Sequence, residues 1–229
     1  MAETVTQLHR RETWTKGGPV VSHLDGTEIT AIEDRVAATI ADPTPLGLWA
    51  FANGTWIVGT VIGGAFPDST TRAVAPVLLI FAGLAQFIAG LFAYRRANVL
   101  AATAFTCFGS FNITAAVVFG LQAGKVLGTS GNDLVIFGFV LESFAFIAFA
   151  LMIASSRMNM ALFAVFATLG IGYALSGIPD LANTAGGSLI SNIGGWFLVG
   201  SAFFAYYTGM AVVVNSIWNR TVFPLGGEA

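Results

Sequence analysis

Six apolar runs separated by short polar connections dominate the chain from residue 46 onward: 46–66, 74–94, 99–121, 134–154, 160–178 and 192–214. Each is close to the roughly 20 residues that a helix rising 1.5 Å per residue needs to cross a bilayer core. The connections carry turn chemistry: Pro67-Asp68-Ser69-Thr70, Arg95-Arg96-Ala97-Asn98, Gly128 to Asp133, Ser155 to Asn159, and a longer stretch from Pro179 to Ser191 whose one charge is Asp180. Ahead of the first run, Asp42-Pro43-Thr44-Pro45-Leu46-Gly47-Leu48 reads as a helix start. Its prolines fit a first turn, whose N–H groups have no partner, and Asp42 can accept from that turn. Residues 1–26 mix charges and glycines without a period and read as a mobile tail. Over 27–41, Ile29, Ile32, Val36 and Ile40 recur at helical spacing, which predicts a short amphipathic helix. The expected organisation is a leader over 1–41, a six-helix membrane domain over 42–217 and a tail over 218–229.

Composition supports this all-α membrane class. The chain of 229 residues is 55% hydrophobic and 10% charged, with mean hydropathy +0.77, whereas soluble chains are about 25% charged. Charge sets the orientation. Arg10, Arg11, Lys16, Arg35, Arg95, Arg96, Arg157 and Arg220 fall on the terminal side of six spans, and only Arg72 and Lys125 fall opposite. Both termini are therefore expected in the cytoplasm. A net charge of -2 offers no footprint for nucleic acid.

Catalytic chemistry finds no foothold. The two histidines, His9 and His23, lie in the leader, and Cys107 is the lone cysteine, so no metal site is expected. No HExxH, GxxxxGK[ST] or CxxC occurs, and no span holds a lysine for a retinal Schiff base. Neither enzyme activity nor a cofactor is expected. Polar groups inside spans carry the functional interest, because they must face protein or water: Asn53 and Thr55 in the first, Gln86 in the second, and Thr103, Thr106, Ser110, Asn112 and Thr114 in the third. Phe108 and Asn112, four residues apart, share a face. Either they border a passage or they only join helices. Glu142, the one acid near mid-span, is either a proton-linked group facing water or a neutral packing group. Gly59 and Gly63 in the first span, Gly83 and Gly90 in the second, and Ala205 and Gly209 in the sixth suit close helix contact, within one bundle or between subunits.

Three stretches resemble the acetate uptake transporter family, the YaaH-type succinate-acetate transporters and their fungal relatives. They are Asp42 to Leu48; Gln86 to Asn98 followed by Thr103 to Phe111; and Gly195-Trp196 through Tyr206-Tyr207 to Gly226. The resemblance runs collinearly over 42–226. It implies a six-helix subunit, assembled in a ring of six in a bacterial or archaeal cytoplasmic membrane, with a pathway for acetate and related monocarboxylates, succinate among the candidate substrates, and proton linkage. It also implies a hydrophobic constriction of Phe51, Phe108 and Leu169, and a pathway past Asp42, Leu46, Leu48, Asn53, Thr55, Gln86, Thr106, Ser110 and Asn112. Three positions depart from the family pattern: Asp42 stands for Asn, Phe108 for Tyr and Asn112 for Trp. Two other readings compete: a channel for another small solute such as urea or ammonia, and a membrane sensor or scaffold that transports nothing.

Overall fold

The computed structural model describes residues 40–184 and 188–227, together with Thr27 and Ala31. The amphipathic helix expected over 27–41 lies, but for Thr27, Ala31, Ile40 and Ala41, outside the described residues.

Among the described residues, six helices are long and apolar enough to cross a membrane: α1 (Thr44–Ile62), α2 (Thr71–Arg95), α3 (Val99–Ala123), α4 (Asn132–Ser155), α5 (Met160–Leu181) and α6 (Leu189–Trp218). Among the described residues there is no strand. The local chemistry is visible at the starts of α1, α3, α5 and α6. Asp42 Oδ1 accepts from the Thr44 N–H at 2.9 Å, and Pro45 sits in the first turn of α1. Asn98, Asn159 and Ser188 cap α3, α5 and α6 through bonds from the backbone N–H three residues on. α1 stops at Ile62, four residues short of the apolar run, because Gly63 and a left-handed Gly64 (φ +79°) turn the chain.

Two prolines sit inside helices, and neither ends its helix at its own position. The connection that the sequence starts at Pro179 begins later: α5 continues to Leu181, and the Pro179 carbonyl accepts from both the N–H and the hydroxyl of Thr184. Pro179 lacks the N–H that would bond the Leu175 carbonyl, one lost bond two residues before the helix ends. Pro76 lies in the sixth position of α2, and the backbone then widens to a π-helix over Leu78–Ala85 before returning to α geometry at Gln86.

α1 packs on α6, α6 on α5, α5 on α4, and α2 on α3 and α1. Glycines set these distances. A Cβ on Gly59 would lie 2.8 Å from the Gly195 carbonyl oxygen, so the first-span glycines serve the α1–α6 contact within one subunit. Gly83 and Gly90 admit Ile113 and Thr106 of α3, and Gly209 admits the Trp49 ring. The chain after α6 folds back. Asn215 bonds the backbone of Val222 and Phe223, Tyr207 donates to the Pro224 carbonyl, and the Leu225 and Gly226 carbonyls accept from the first N–H groups of α5.

Candidate functional site

Consecutive spans run in opposite directions, so α1, α3 and α5 all climb the same way, and side chains at helical spacing on their facing sides form stacked layers. On α1 the stripe is Phe51, Thr55, Val58 and Ile62; on α3 it is Phe108, Asn112, Ala115 and Phe119; on α5 it is Leu169, Tyr173, Ser176 and Asp180. From Leu169 to Asp180 this climbs about 16 Å.

The lowest layer is closed and apolar. Phe51, Phe108 and Leu169 are 4%, 1% and 0% exposed. Phe108 is the centre of a ring cluster, with Phe51 and Phe144 at 5.9 Å, Tyr173 at 6.3 Å and Phe166 at 6.4 Å between centroids. Phe111 joins it through Phe144 at 4.6 Å and Tyr173 at 5.2 Å. Above this layer lies a cavity of about 20 Å³, lined by Gly54, Thr55, Phe111, Asn112, Tyr173 and Leu198 among others. It has room for one water molecule. Beyond it opens a cavity of about 450 Å³, bounded by Val58, Phe119, Gln122, Phe137, Ser176, Asp180, Asn192 and Arg72 among others. Val58, Ile62, Phe119, Phe137 and Leu141 border both, so the two are continuous in their walls. The wider one sits where α1 meets α2, α3 meets α4, and α5 meets α6. Two residues of its wall hold buried polar atoms with no hydrogen-bond partner among the described residues: Ser176 Oγ, which lies against Gly194 on α6, and Asn192 Oδ1. Such groups are ordinarily satisfied by water or a ligand.

The expected site residues divide by this geometry. Thr55 and Asn112 line the small cavity and Leu48 belongs to the apolar cluster around Phe51 and Phe108. Gln86 is fully buried behind Asn112: its Oε1 accepts from Asn112 Nδ2 at 3.0 Å, while Nδ2 also reaches the Ala82 carbonyl, inside the π segment, at 3.2 Å. The amide at 112 thus secures the widened backbone of α2. Asn112→Leu would strip both acceptors and leave the Gln86 amide unpaired, a loss of about 2–4 kcal/mol. Thermal unfolding in detergent should show that loss, with partial recovery when Gln86→Leu is added, since two apolar groups leave nothing unsatisfied.

The others lie apart. Asp42 and Leu46 are exposed at the start of α1. Asn53 donates to the Tyr206 hydroxyl at 3.5 Å across the α1–α6 contact. Thr106 packs its methyl on Gly90 and gives its hydroxyl to the Ala102 carbonyl, and Ser110 bonds the Thr106 carbonyl on an exposed face. Both hydroxyls are spent on their own helix. Glu142 borders neither cavity; its Oε1 lies against Gly177 on the α4–α5 seam, with no hydrogen-bond partner among the described residues. The ring partners Phe111, Phe144, Phe166 and Tyr173 and the cavity residues Ser176 and Asn192 were not singled out from sequence. For α5 a signal existed: Leu169, Tyr173, Ser176 and Asp180 repeat at four, three and four residues.

The family model described as GPR1/FUN34/yaaH matches residues 26–226. The chain is 30% identical over 188 residues to the succinate-acetate/proton symporter SatP of Escherichia coli K12, covering 82% of this chain and 96% of that one. To acetate permease A of Emericella nidulans it is 26% identical over 199 residues, 82% of this chain and 67% of that one. Among solved structures, the bacterial acetate channel SatP superposes with a TM-score of 0.73 at 28% identity, over 82% of this chain and 99% of that one.

Proposed function

The chain belongs to the GPR1/FUN34/yaaH family, and on that footing we propose that it carries acetate and related small monocarboxylates across a cytoplasmic membrane. It is a multi-pass membrane protein and not an enzyme. The observation that supports this reading is the largely apolar cavity, with a few polar groups in its wall, that narrows between α1, α3 and α5 onto the closed layer of Phe51, Phe108 and Leu169.

The chemistry suits a small weak acid. A carboxylate is expensive to strip of water, and nothing in the aromatic layer replaces its hydration. The neutral acid carries a methyl group that ring faces accept and a carboxyl group that Asn112 can bond just above them. Crossing is therefore easiest for the protonated form, and the proton travels on the substrate itself. Glu142, away from both cavities, is not required for that step. Assembly as a ring of six belongs to the same proposal, with each subunit holding its own pathway.

Proteoliposomes containing the chain and given labelled acetate test this. Uptake is expected above that of empty liposomes, rising with each unit fall in external pH by up to about tenfold as the neutral fraction grows. A pH-independent flux would overturn the neutral-acid mechanism, and no flux above empty liposomes would favour the sensor or scaffold reading. Urea in place of acetate separates the competing small-solute channel.

A further inference from the structure

The side-chain amide of Asn112 can be assigned atom by atom, because one of its partners is a group that only accepts. The Ala82 carbonyl oxygen has no proton to give, so the atom 3.2 Å from it must be the donating Nδ2. The same Nδ2 lies 3.0 Å from Gln86, whose facing atom must then be the accepting Oε1. Both Nδ2 protons are therefore used, one on the π segment of α2 and one on the residue that follows it. What Asn112 has left is Oδ1. That oxygen makes no hydrogen bond among the described residues and is not sealed in packing, and Asn112 lines the small cavity of about 20 Å³ above the aromatic layer. Among the described residues that line this cavity none is charged, and the one titratable group is the Tyr173 phenol. Thr55 and Tyr173 bring hydroxyls, which can turn either to give or to accept. An amide oxygen only accepts, so Asn112 sets the polarity of the site.

We propose that Asn112 Oδ1 recognises the neutral acid by its proton, accepting the acid's O–H just above Phe108, with Gln86 as a positioning residue behind it. This rests on the transport reading above and adds the atom that reads protonation state. A carboxylic acid brings one donor, its O–H; a carboxylate brings none and would meet Oδ1 oxygen to oxygen. An amide free to turn would offer its N–H groups to the anion instead. Here turning would set Oδ1 against the Ala82 carbonyl, and although the Gln86 amide could turn with it, a backbone carbonyl cannot. The widened backbone of α2 thus holds the acceptor inward. The cavity has room for a group the size of a water molecule, which matches the O–H end of the acid, and the hydroxyl of Thr55 or Tyr173 can give to the acid's carbonyl.

Labelled acetate uptake is measured in proteoliposomes at about pH 5.5 for the unsubstituted chain, Gln86→Leu and the double variant Gln86→Leu/Asn112→Leu, with and without excess acetamide. Both variants lack the Gln86 amide and leucine keeps the shape of asparagine, so the comparison isolates the amide at 112. Acetamide is uncharged, close to acetic acid in size, and brings N–H donors to the same oxygen. Acetate flux per inserted protein should be about five- to tenfold lower in the double variant than in Gln86→Leu, the loss of one hydrogen bond. Acetamide should slow flux through the unsubstituted chain and Gln86→Leu but not through the double variant. Equal flux in the two variants would overturn the assignment and leave acetate transport standing. So would a lower flux in the double variant with its acetamide sensitivity retained, since position 112 would then act through packing. Failure of acetamide to slow the unsubstituted chain would overturn it too, and needs no variant to fold. No acetate flux from the unsubstituted chain would overturn the transport reading and the acceptor site with it.

Discussion

Gly195→Leu is expected to yield no folded bundle. The Cβ that this substitution adds would overlap the backbone nitrogen of Gly63 and lie 2.7 Å from the Gly59 carbonyl oxygen and 2.7 Å from the Gly63 Cα. All three are main-chain atoms at the C-terminal end of α1, so no rotamer change relieves them; α1 and α6 must move apart. Gly59 faces the same constraint from the other side, against the Gly195 oxygen and the Leu198 Cβ. Lipid tails are as apolar as leucine, so helix association in a membrane rests on close packing. Opening this contact therefore removes what joins α1 to the bundle. The cost is on the order of 3 kcal/mol or more, enough to abolish a marginal fold. Size-exclusion chromatography of the purified chain in mild detergent should show aggregate in place of the native peak. Gly200→Leu is the control, since a Cβ at Gly200 would meet nothing within 4 Å. A native peak for Gly195→Leu would mean that the α1–α6 contact is not a close one.

Phe108→Ala should have the largest effect on permeation. Phe108 touches four other rings, from α1, α4 and α5, at the level where the interior is closed. Removing a ring there costs about 3–5 kcal/mol of stability. It also leaves a void beside the small cavity, large enough to carry water through the layer. Once water passes, the anion no longer needs to shed its charge. Acetate flux in proteoliposomes should rise about tenfold or more, its dependence on external pH should flatten, and urea should begin to cross. Phe108→Leu, which keeps the layer apolar and nearly filled, should retain the pH dependence. Flux unchanged by Phe108→Ala would place the barrier elsewhere. A collapse of flux in Phe108→Ala with Phe108→Leu active would show that apolar bulk at this position is needed to hold the surrounding packing rather than as a barrier.

The sequence was most informative where a local rule suffices. Asp42 and the two prolines predicted the start of α1, and each apolar run became one helix, because in lipid the backbone must bond within its own segment. The glycine pairs predicted close helix contact but left the partner open, and only packing showed Gly59 against Gly195. Thr106 and Ser110 show a sharper limit. A hydroxyl in a helix can turn back on the carbonyl four residues earlier as readily as it can face a passage, and both do so. Asn112 is the converse. Its pairing with Gln86 and with the Ala82 carbonyl depends on a π segment downstream of Pro76 that no periodicity announced.

By itself, then, the order of residues determined the class of the protein, the number of its spans and its kinship, because hydrophobic length, turn chemistry and collinear motifs are properties of contiguous chain. The stacked layers between α1, α3 and α5, the unpartnered oxygens of Ser176 and Asn192, the position of Asp180 in the cavity wall and the retreat of Glu142 to the α4–α5 seam were decided by tertiary structure alone. Each depends on how far a helix rotates about its own axis, and that rotation is set by which small residues let its neighbours approach.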